Sequence, residues 1–203
     1  MDLEAAIVNV SLLWLLTTPH EFAHAWAAVR LGDETPRREG RLTLHPLAHV
    51  DWLGTVLLPA LTSLTGAGFL GWGKPVNTNP FRLRGGLRGL ALVALAGPAS
   101  NILFAVILAG AALAAVPLLP PLAEYLAHGV FLSLYLALFN LLPVPPLDGS
   151  KLLLAARLPS VIYMELARFG FLLLIAAFSL TRLGYVLSDW AFRGTQLVFA
   201  LLR

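Results

Sequence analysis

The first apolar segment of this 203-residue chain contains His20, Glu21 and His24 in the pattern H-E-x-x-H. In a helix, residues i and i+4 lie on one face, so both imidazoles can bind the same metal ion. The glutamate beside the first histidine is close enough to take a proton from a metal-bound water, whose pKa zinc lowers to about 7. The spacing therefore predicts a hydrolytic metal site with Glu21 as its general base.

The setting of this motif favours a functional interpretation. Residues 3–29 form a segment that is otherwise long and apolar enough to cross a membrane. Ionisable side chains are costly in hydrocarbon and most of those found there have a function. The H-E-x-x-H pattern could arise by chance, without binding a metal, on the surface helix of a soluble protein. Such a chance match is much less expected in an apolar membrane segment.

A catalytic zinc ion usually has three protein ligands and one water. Because the chain has no cysteine, the third ligand must be a histidine or a carboxylate. Asp148 stands out because it follows a proline-rich stretch, residues 140–147, at the end of an apolar segment. Irregular backbone at a membrane boundary is tolerated mainly where it is buried in protein or lines a cavity. The other candidates are His45, His49, Asp51, Glu124, His128, Glu165 and Asp189.

The composition indicates a membrane protein. Hydrophobic residues make up 58% of the chain and charged residues 12%, whereas soluble domains have about 45–50% apolar and about 25% charged residues. We predict an all-α polytopic membrane protein with about five transmembrane helices, a re-entrant segment and a C-terminal amphipathic helix. The apolar segments cover about residues 3–29, 53–71, 89–116, 122–142 and 161–181, and the amphipathic tail covers about 184–202.

Between these segments, residues 40–46 alternate polar and apolar side chains, which predicts a short β-hairpin. No segment is long enough to form a separate soluble domain. We therefore predict a single membrane-embedded protease domain over residues 1–203, with the catalytic core at about 3–157 and C-terminal helices at 158–203.

The basic residues lie between the apolar segments, which argues against a nucleic-acid partner and indicates orientation in a bilayer. The loops at residues 30–51 and 71–89 each contain four basic residues, so both are predicted to be cytoplasmic. A full crossing by residues 53–71 would put these loops on opposite sides and would carry Asp148 away from His24. Charge and metal geometry together predict that this segment enters the membrane and returns, and that the site opens toward the cytoplasm.

The chain resembles the site-2 protease family of intramembrane metalloproteases, peptidase family M50, in a compact form without a PDZ domain. The resemblance rests on HEFAH at residues 20–24, NLLPVPPLDG at 140–149 and AGPASN at 96–101, with LTLHP at 42–46 and GWGKP at 71–75. Ser150 departs from the family pattern, in which a second glycine is common there.

The resemblance implies one Zn²⁺ per chain, bound by His20, His24 and Asp148, with Glu21 as general base. It also implies that Asn140 holds the substrate strand or the developing oxyanion, a role that fits an amide donor. Asn101 is expected to have a structural role beside the zinc helix, since asparagine can form hydrogen bonds between membrane helices. His45 and His49 are interpreted as loop residues near the entrance of the site.

The predicted activity is hydrolysis of a peptide bond within or near a transmembrane segment of another protein, in the manner of regulated intramembrane proteolysis. The expected partners are a membrane-protein substrate with a transmembrane helix and the lipid bilayer of the cell membrane. The substrate must unwind locally, and either residues 40–45 or residues 140–148 could receive it by edge pairing. The alternative function is a non-proteolytic membrane zinc-binding protein or a metal transporter, which would require a second metal site or an ionisable path through the helices.

Overall fold

The computed structural model describes residues 3–65 and 71–202, and within them the ordered elements are helices. The α-helices are α1 (Leu3–Arg30), α2 (Thr35–Arg38), α3 (Leu58–Thr65), α4 (Leu87–Ala115), α5 (Pro120–Asn140), α6 (Gly149–Ala155), α7 (Ser160–Leu180) and α8 (Leu183–Leu202). A π-helical turn at Trp52–Leu57 leads into α3, and short 3-10 turns lie at Pro46–His49 and Pro80–Arg82. The predicted all-α class is confirmed for these residues.

Within the described residues, three helices, α4, α5 and α7, are long and apolar enough to cross a membrane by length and composition. This agrees with the predicted membrane protein, while the total of about five transmembrane helices stays a prediction. The C-terminal helix α8 bears an exposed ion pair between Asp189 and Arg193 at 2.9 Å, as expected for a helix with one polar face.

The core that positions the first helix is formed by α1, α4 and α5. Its fully or nearly buried side chains are Leu12, Leu13 and Leu16 of α1, Ala105, Leu108 and Ala109 of α4, and Val130, Leu132 and Leu136 of α5. Small residues on α4 allow the helix backbones to approach closely, which favours tight packing of membrane helices. The packing places the HEFAH face of α1 against α4.

The predicted β-hairpin at residues 40–46 is wrong, because the structure contains no strand there. Arg41 is buried and Leu44 is 61% exposed, the reverse of what an amphipathic strand would place inside and outside. Side chains bond to the backbone of this stretch, as His49 Nε2 lies 2.8 Å from the Thr43 carbonyl and Thr43 Oγ1 accepts from the His45 N–H at 3.1 Å. The segment therefore has no strand edge to offer a substrate.

The two basic loops touch each other at one end of the helix bundle. The backbone N–H of Arg84 donates to the carbonyl of Leu31 at 2.8 Å, and the N–H of Asn79 donates to the carboxylate of Asp33 at 2.6 Å. At the ends of the segment predicted to be re-entrant, the N–H of Trp72 donates to the carbonyl of Gly54 at 2.9 Å. Residues 66–70 of that segment lie outside the described residues, and its path through the membrane stays a prediction.

Candidate metal centre

Three metal-ligand atoms converge beside α1. His20 Nε2 lies 3.1 Å from Asp148 Oδ2, His24 Nε2 lies 3.0 Å from the same oxygen, and the two nitrogens are 3.0 Å apart. Zinc bonds of about 2.0–2.1 Å in tetrahedral geometry separate neighbouring ligand atoms by roughly 3.3 Å. The spacing therefore fits a single zinc ion, and no other group of three such ligands occurs in the described parts of the chain.

The orientation of His24 also favours a cation at this point. Its Nδ1 lies 2.7 Å from the carbonyl of Val93, and only an N–H can bond to that oxygen. Neutral His24 therefore has its lone pair on Nε2, where it faces His20 Nε2 and the carboxylate of Asp148. The lone pair of His24 Nε2 and the carboxylate oxygen of Asp148, 3.0 Å apart, repel each other unless a cation lies between them. A backbone carbonyl that fixes the tautomer in this way is typical of metal-binding histidines.

Asp148 is held by the residues that follow it in the chain. It lies directly before α6, and Lys151 Nζ donates to its Oδ1 at 2.9 Å, which leaves Oδ2 for the two histidines. Burial opposes ionisation of this carboxyl, but the neighbouring imidazoles of His24 and His20 and the ammonium of Lys151 hold its pKa well below the ordinary value. These neighbours favour the ionised form of Asp148, the form in which a carboxylate binds a metal.

The segment AGPASN brings α4 against this cluster. A Cβ atom built on Gly97 would lie 2.3 Å from His24 Nε2 and 2.6 Å from His20 Nε2, distances that real Cβ contacts do not reach. A residue without a side chain is thus required where α4 passes the three ligands.

Glu21 is buried beside the same cluster and has a fixed hydrogen-bond partner. The backbone N–H of Val76 donates to its Oε2 at 3.1 Å. A Cβ atom on Gly73 would lie 3.4 Å from its Oε1, so the loop at residues 71–76 covers this carboxylate closely. The arrangement holds a carboxylate next to the metal ligands with one oxygen bonded to the backbone.

The loop at residues 71–76 is itself anchored by Arg41. The buried guanidinium of Arg41 donates to the carbonyls of Ala48, Lys74 and Pro75. The N–H of Lys74 donates to the carbonyl of His49 at 2.9 Å. These bonds join the loop after α1 to the loop that covers Glu21.

The other candidate ligands are not part of this ligand group. Burial lowers the pKa of His49, and its Nε2 lies within hydrogen-bond distance of the Thr43 carbonyl. Asp51 accepts from the N–H groups of Leu53 and Gly54 at the start of the π-helical turn. The remaining candidates outside the ligand group are His45, Glu124, His128, Glu165 and Asp189.

A cavity of about 200 Å³ opens beside the three ligands. Its walls include Glu21, Asn101 of α4, Asn140 at the end of α5 and Phe171 of α7. The Nδ2 of Asn140 donates to the carbonyl of Leu136 at 3.0 Å. Both asparagines singled out in the sequence thus border the space next to the ligands.

Several groups of the site had no signal in the sequence. The N–H of Val76 and the carbonyl of Val93 are backbone groups, and no residue type marks them. Lys151 lies three residues after Asp148 in α6, a helical spacing that could have suggested an ion pair. Gly97 belongs to the AGPASN segment on which the resemblance rests, and the structure shows that it lies against the two histidines.

Comparison with known proteins agrees with the geometry. Residues 119–177, which include Asn140 and Asp148, match the family described as Peptidase family M50. A protein of Bacillus subtilis named "Putative zinc metalloprotease YwhC" is 40% identical over 147 residues, covering 67% of this chain and 63% of that protein. One of Mycolicibacterium smegmatis named "Putative zinc metalloprotease Rip2" is 36% identical over 142 residues, covering 67% of this chain and 52% of that protein. The chain thus spans between about half and two thirds of these relatives, and no solved structure matches it.

Proposed function

Because the chain belongs to peptidase family M50, the family of the site-2 proteases, we propose that it is a zinc-dependent intramembrane endopeptidase. Its proposed reaction is hydrolysis of a peptide bond within or near a transmembrane segment of another protein. The observation that carries this proposal is the convergence of His20, His24 and Asp148 at 3.0–3.1 Å beside the buried Glu21.

The proposed mechanism assigns each residue one task. His20, His24 and Asp148 would hold one zinc ion, which when bound lowers the pKa of water and polarises a carbonyl. Glu21 takes a proton from the attacking water and delivers it to the leaving amine. The N–H of Val76 keeps the Glu21 carboxylate in place through its bond to Oε2. The amide of Asn140, in the cavity wall, donates to the oxygen on which charge develops.

The proposed membrane arrangement places this site toward the cytoplasm of the cell membrane. Two observations support it: the hydrogen bond from Arg84 to Leu31 joins the two basic loops, and the bond from Trp72 to Gly54 joins the ends of the segment between them. Loops in contact lie on one side of a bilayer, and loops rich in basic residues are retained inside. The segment from residue 53 to residue 71 is thus proposed to enter and return.

The experiment that tests this function compares wild type with Glu21→Gln on a model transmembrane substrate in detergent or liposomes. The variant keeps the size of the side chain and removes the base, so cleavage should fall by about 10²–10⁴-fold while zinc content stays at one ion per chain. Asp189→Asn changes a half-exposed carboxylate on α8 and should cleave like wild type.

Three outcomes would contradict the proposal in different ways. Equal cleavage by wild type and Glu21→Gln would refute the role of Glu21. Purified protein that contains no zinc would refute the metal centre. Zinc bound without cleavage of any transmembrane substrate would favour the alternative function, a non-proteolytic zinc-binding protein or metal transporter.

A further inference from the structure

Asn101 of α4 is a buried amide without a hydrogen-bond partner. The residue is 1% exposed, and neither Nδ2 nor Oδ1 bonds to any of the residues that the structure describes. It forms part of the wall of the cavity beside the metal ligands. An amide removed from water with both polar atoms unpaired is unfavourable, so such a group calls for a partner that the folded chain does not supply.

The role expected from the sequence, a hydrogen bond from this side chain to another helix, is not what the structure shows. The bond between α4 and α5 at this level runs from Ser133 Oγ to the backbone carbonyl of Asn101, at 2.7 Å. The contact between the helices therefore needs the backbone of residue 101 but not its amide. The side chain is left for another purpose.

The position of the amide relative to the metal ligands limits what it can bind. Gly97, which lies against His20 and His24, is four residues before Asn101 and so lies on the same face of α4. One helical turn of about 5.4 Å thus separates the level of the ligands from the level of the amide. Asn140 reaches the same cavity from the end of α5. A chain that lies in the cavity with one peptide bond at the metal would have a neighbouring peptide group at Asn101.

The chemistry of the amide matches that neighbour. A primary amide offers one acceptor oxygen and two donor hydrogens, and an unwound peptide backbone offers a carbonyl and an N–H. Side chains of the substrate differ from protein to protein, but these backbone groups do not. A buried amide is thus suited to bind main chain of any sequence once it has left its helix.

We propose that Asn101 is a substrate-positioning residue whose amide binds a main-chain peptide group of the unwound segment next to the scissile bond. This inference rests on the proposed function, since it requires a peptide in the cavity. It adds a sequence-independent contact on α4 to the one expected from Asn140 on α5.

The test measures substrate binding separately from cleavage. All variants carry Glu21→Gln, so that bound peptide is not cleaved. The probe is a fluorescent, apolar transmembrane peptide with a helix-breaking centre, and its binding is measured in detergent. Zinc content and thermal unfolding are measured on the same proteins. Asn101→Leu replaces the amide by an apolar side chain of similar size, and Asn101→Ala removes it. Both should weaken peptide binding by about 5- to 150-fold, the loss expected when a buried peptide group is left without its hydrogen-bond partner. Zinc content should be unchanged, and Asn101→Leu should not lower the melting temperature.

Ser133→Ala is the matched control because it removes the hydrogen bond that joins α4 to α5. It should lower the melting temperature and leave the dissociation constant of the peptide unchanged. Two outcomes would overturn the proposal. In the first, Asn101→Leu misfolds or melts at a lower temperature while Asn101→Ala binds the peptide as tightly as the protein with Asn101. In the second, the Glu21→Gln protein with Asn101 intact binds no peptide. If wild type fails to cleave while peptide binding still depends on Asn101, the proposed hydrolysis fails and the binding role of Asn101 stands.

Discussion

Gly97 lies against the imidazole of His24 so closely that a methyl group at its Cα would come 2.3 Å from Nε2. The same methyl would lie 2.6 Å from His20 Nε2. The HEFAH segment of α1 and the AGPASN segment of α4, which are distant in sequence, thus pack directly against each other. The absence of a side chain on α4 keeps open the space in which the three ligands meet.

Gly97→Ala should therefore impair metal binding. The added methyl must displace either the imidazoles or α4, and overpacking of this kind costs about 1–3 kcal/mol. We expect zinc affinity to fall by about 10- to 100-fold with a matching loss of cleavage, which competition with a chromophoric chelator and the model-substrate assay can measure.

Gly110→Ala is the control for this substitution. It lies on the same helix, and a Cβ atom there would meet nothing within 4 Å. Because alanine has a higher helix propensity than glycine, this variant should bind zinc normally and be equally or more stable. Normal zinc affinity in Gly97→Ala would show that α4 can move away from the ligands without cost.

Lys151→Met should weaken the metal centre without removing a ligand. Lys151 Nζ donates to Asp148 Oδ1 at 2.9 Å, and partners of this kind orient the ligand carboxylate. Loss of such a partner typically lowers metal affinity by about 10- to 100-fold. Lys74→Met is the control, because Lys74 is exposed and is not among the hydrogen-bond partners described for the ligand side chains. Equal zinc affinity of both variants would refute the positioning role of Lys151.

The sequence predicted the parts of the site that depend on helix geometry or on topology. The pairing of His20 with His24 requires only that residues 20–24 be helical. Asp148 is selected by the proline-rich stretch before it, and the return of its loop to the side of α1 follows from the requirement that it reach His24. The backbone partners of the site, at Val76 and Val93, could not be predicted, since their positions depend on how distant loops and helices pack.

The wrong prediction at residues 40–46 has a similar origin. Alternation of polar and apolar residues favours a strand only if the apolar side faces the core. Here the buried member is Arg41, which is drawn inward by the carbonyls of Ala48, Lys74 and Pro75. Those acceptors come from other loops, so no local pattern could reveal them.

The connection between the loops should make stability depend on pH through Asp33. Its carboxylate is fully buried and accepts from the N–H of Asn79 at 2.6 Å and from the N–H and hydroxyl of Thr35 at 3.0 and 2.6 Å. Burial opposes ionisation, but these hydrogen bonds lower the pKa of Asp33 below its ordinary value of 3.8. Its stabilising contribution is therefore present above about pH 4 and lost as the pH falls through the lowered pKa.

Asp33→Asn should accordingly destabilise the protein by about 1.5–3 kcal/mol at pH 7, the range for hydrogen bonds to charged groups. The difference in the free energy of unfolding between wild type and Asp33→Asn should shrink as the pH falls below about 4. Thermal unfolding in detergent between pH 7 and pH 3 measures both effects. Asp189→Asn, in an exposed ion pair, should change stability by about 1 kcal/mol or less. If the difference in the free energy of unfolding between wild type and Asp33→Asn did not change with pH, ionisation of Asp33 would not contribute to stability.

The proposed re-entrant path predicts the side from which three positions are labelled. The chain contains no cysteine, so single-cysteine variants can be made without further changes. Arg38 and Phe81 are exposed in the two basic loops, and Leu118 is exposed in the connection between α4 and α5. Because α4 is long and apolar enough to cross the membrane, Leu118 should lie on the side opposite Phe81.

In intact cells an impermeant maleimide should label Leu118→Cys, but it should label Arg38→Cys and Phe81→Cys only after the membrane is opened. Labelling of Arg38→Cys and Phe81→Cys from different sides would mean that residues 53–71 cross the bilayer, and the joined loops could not then exist in the membrane.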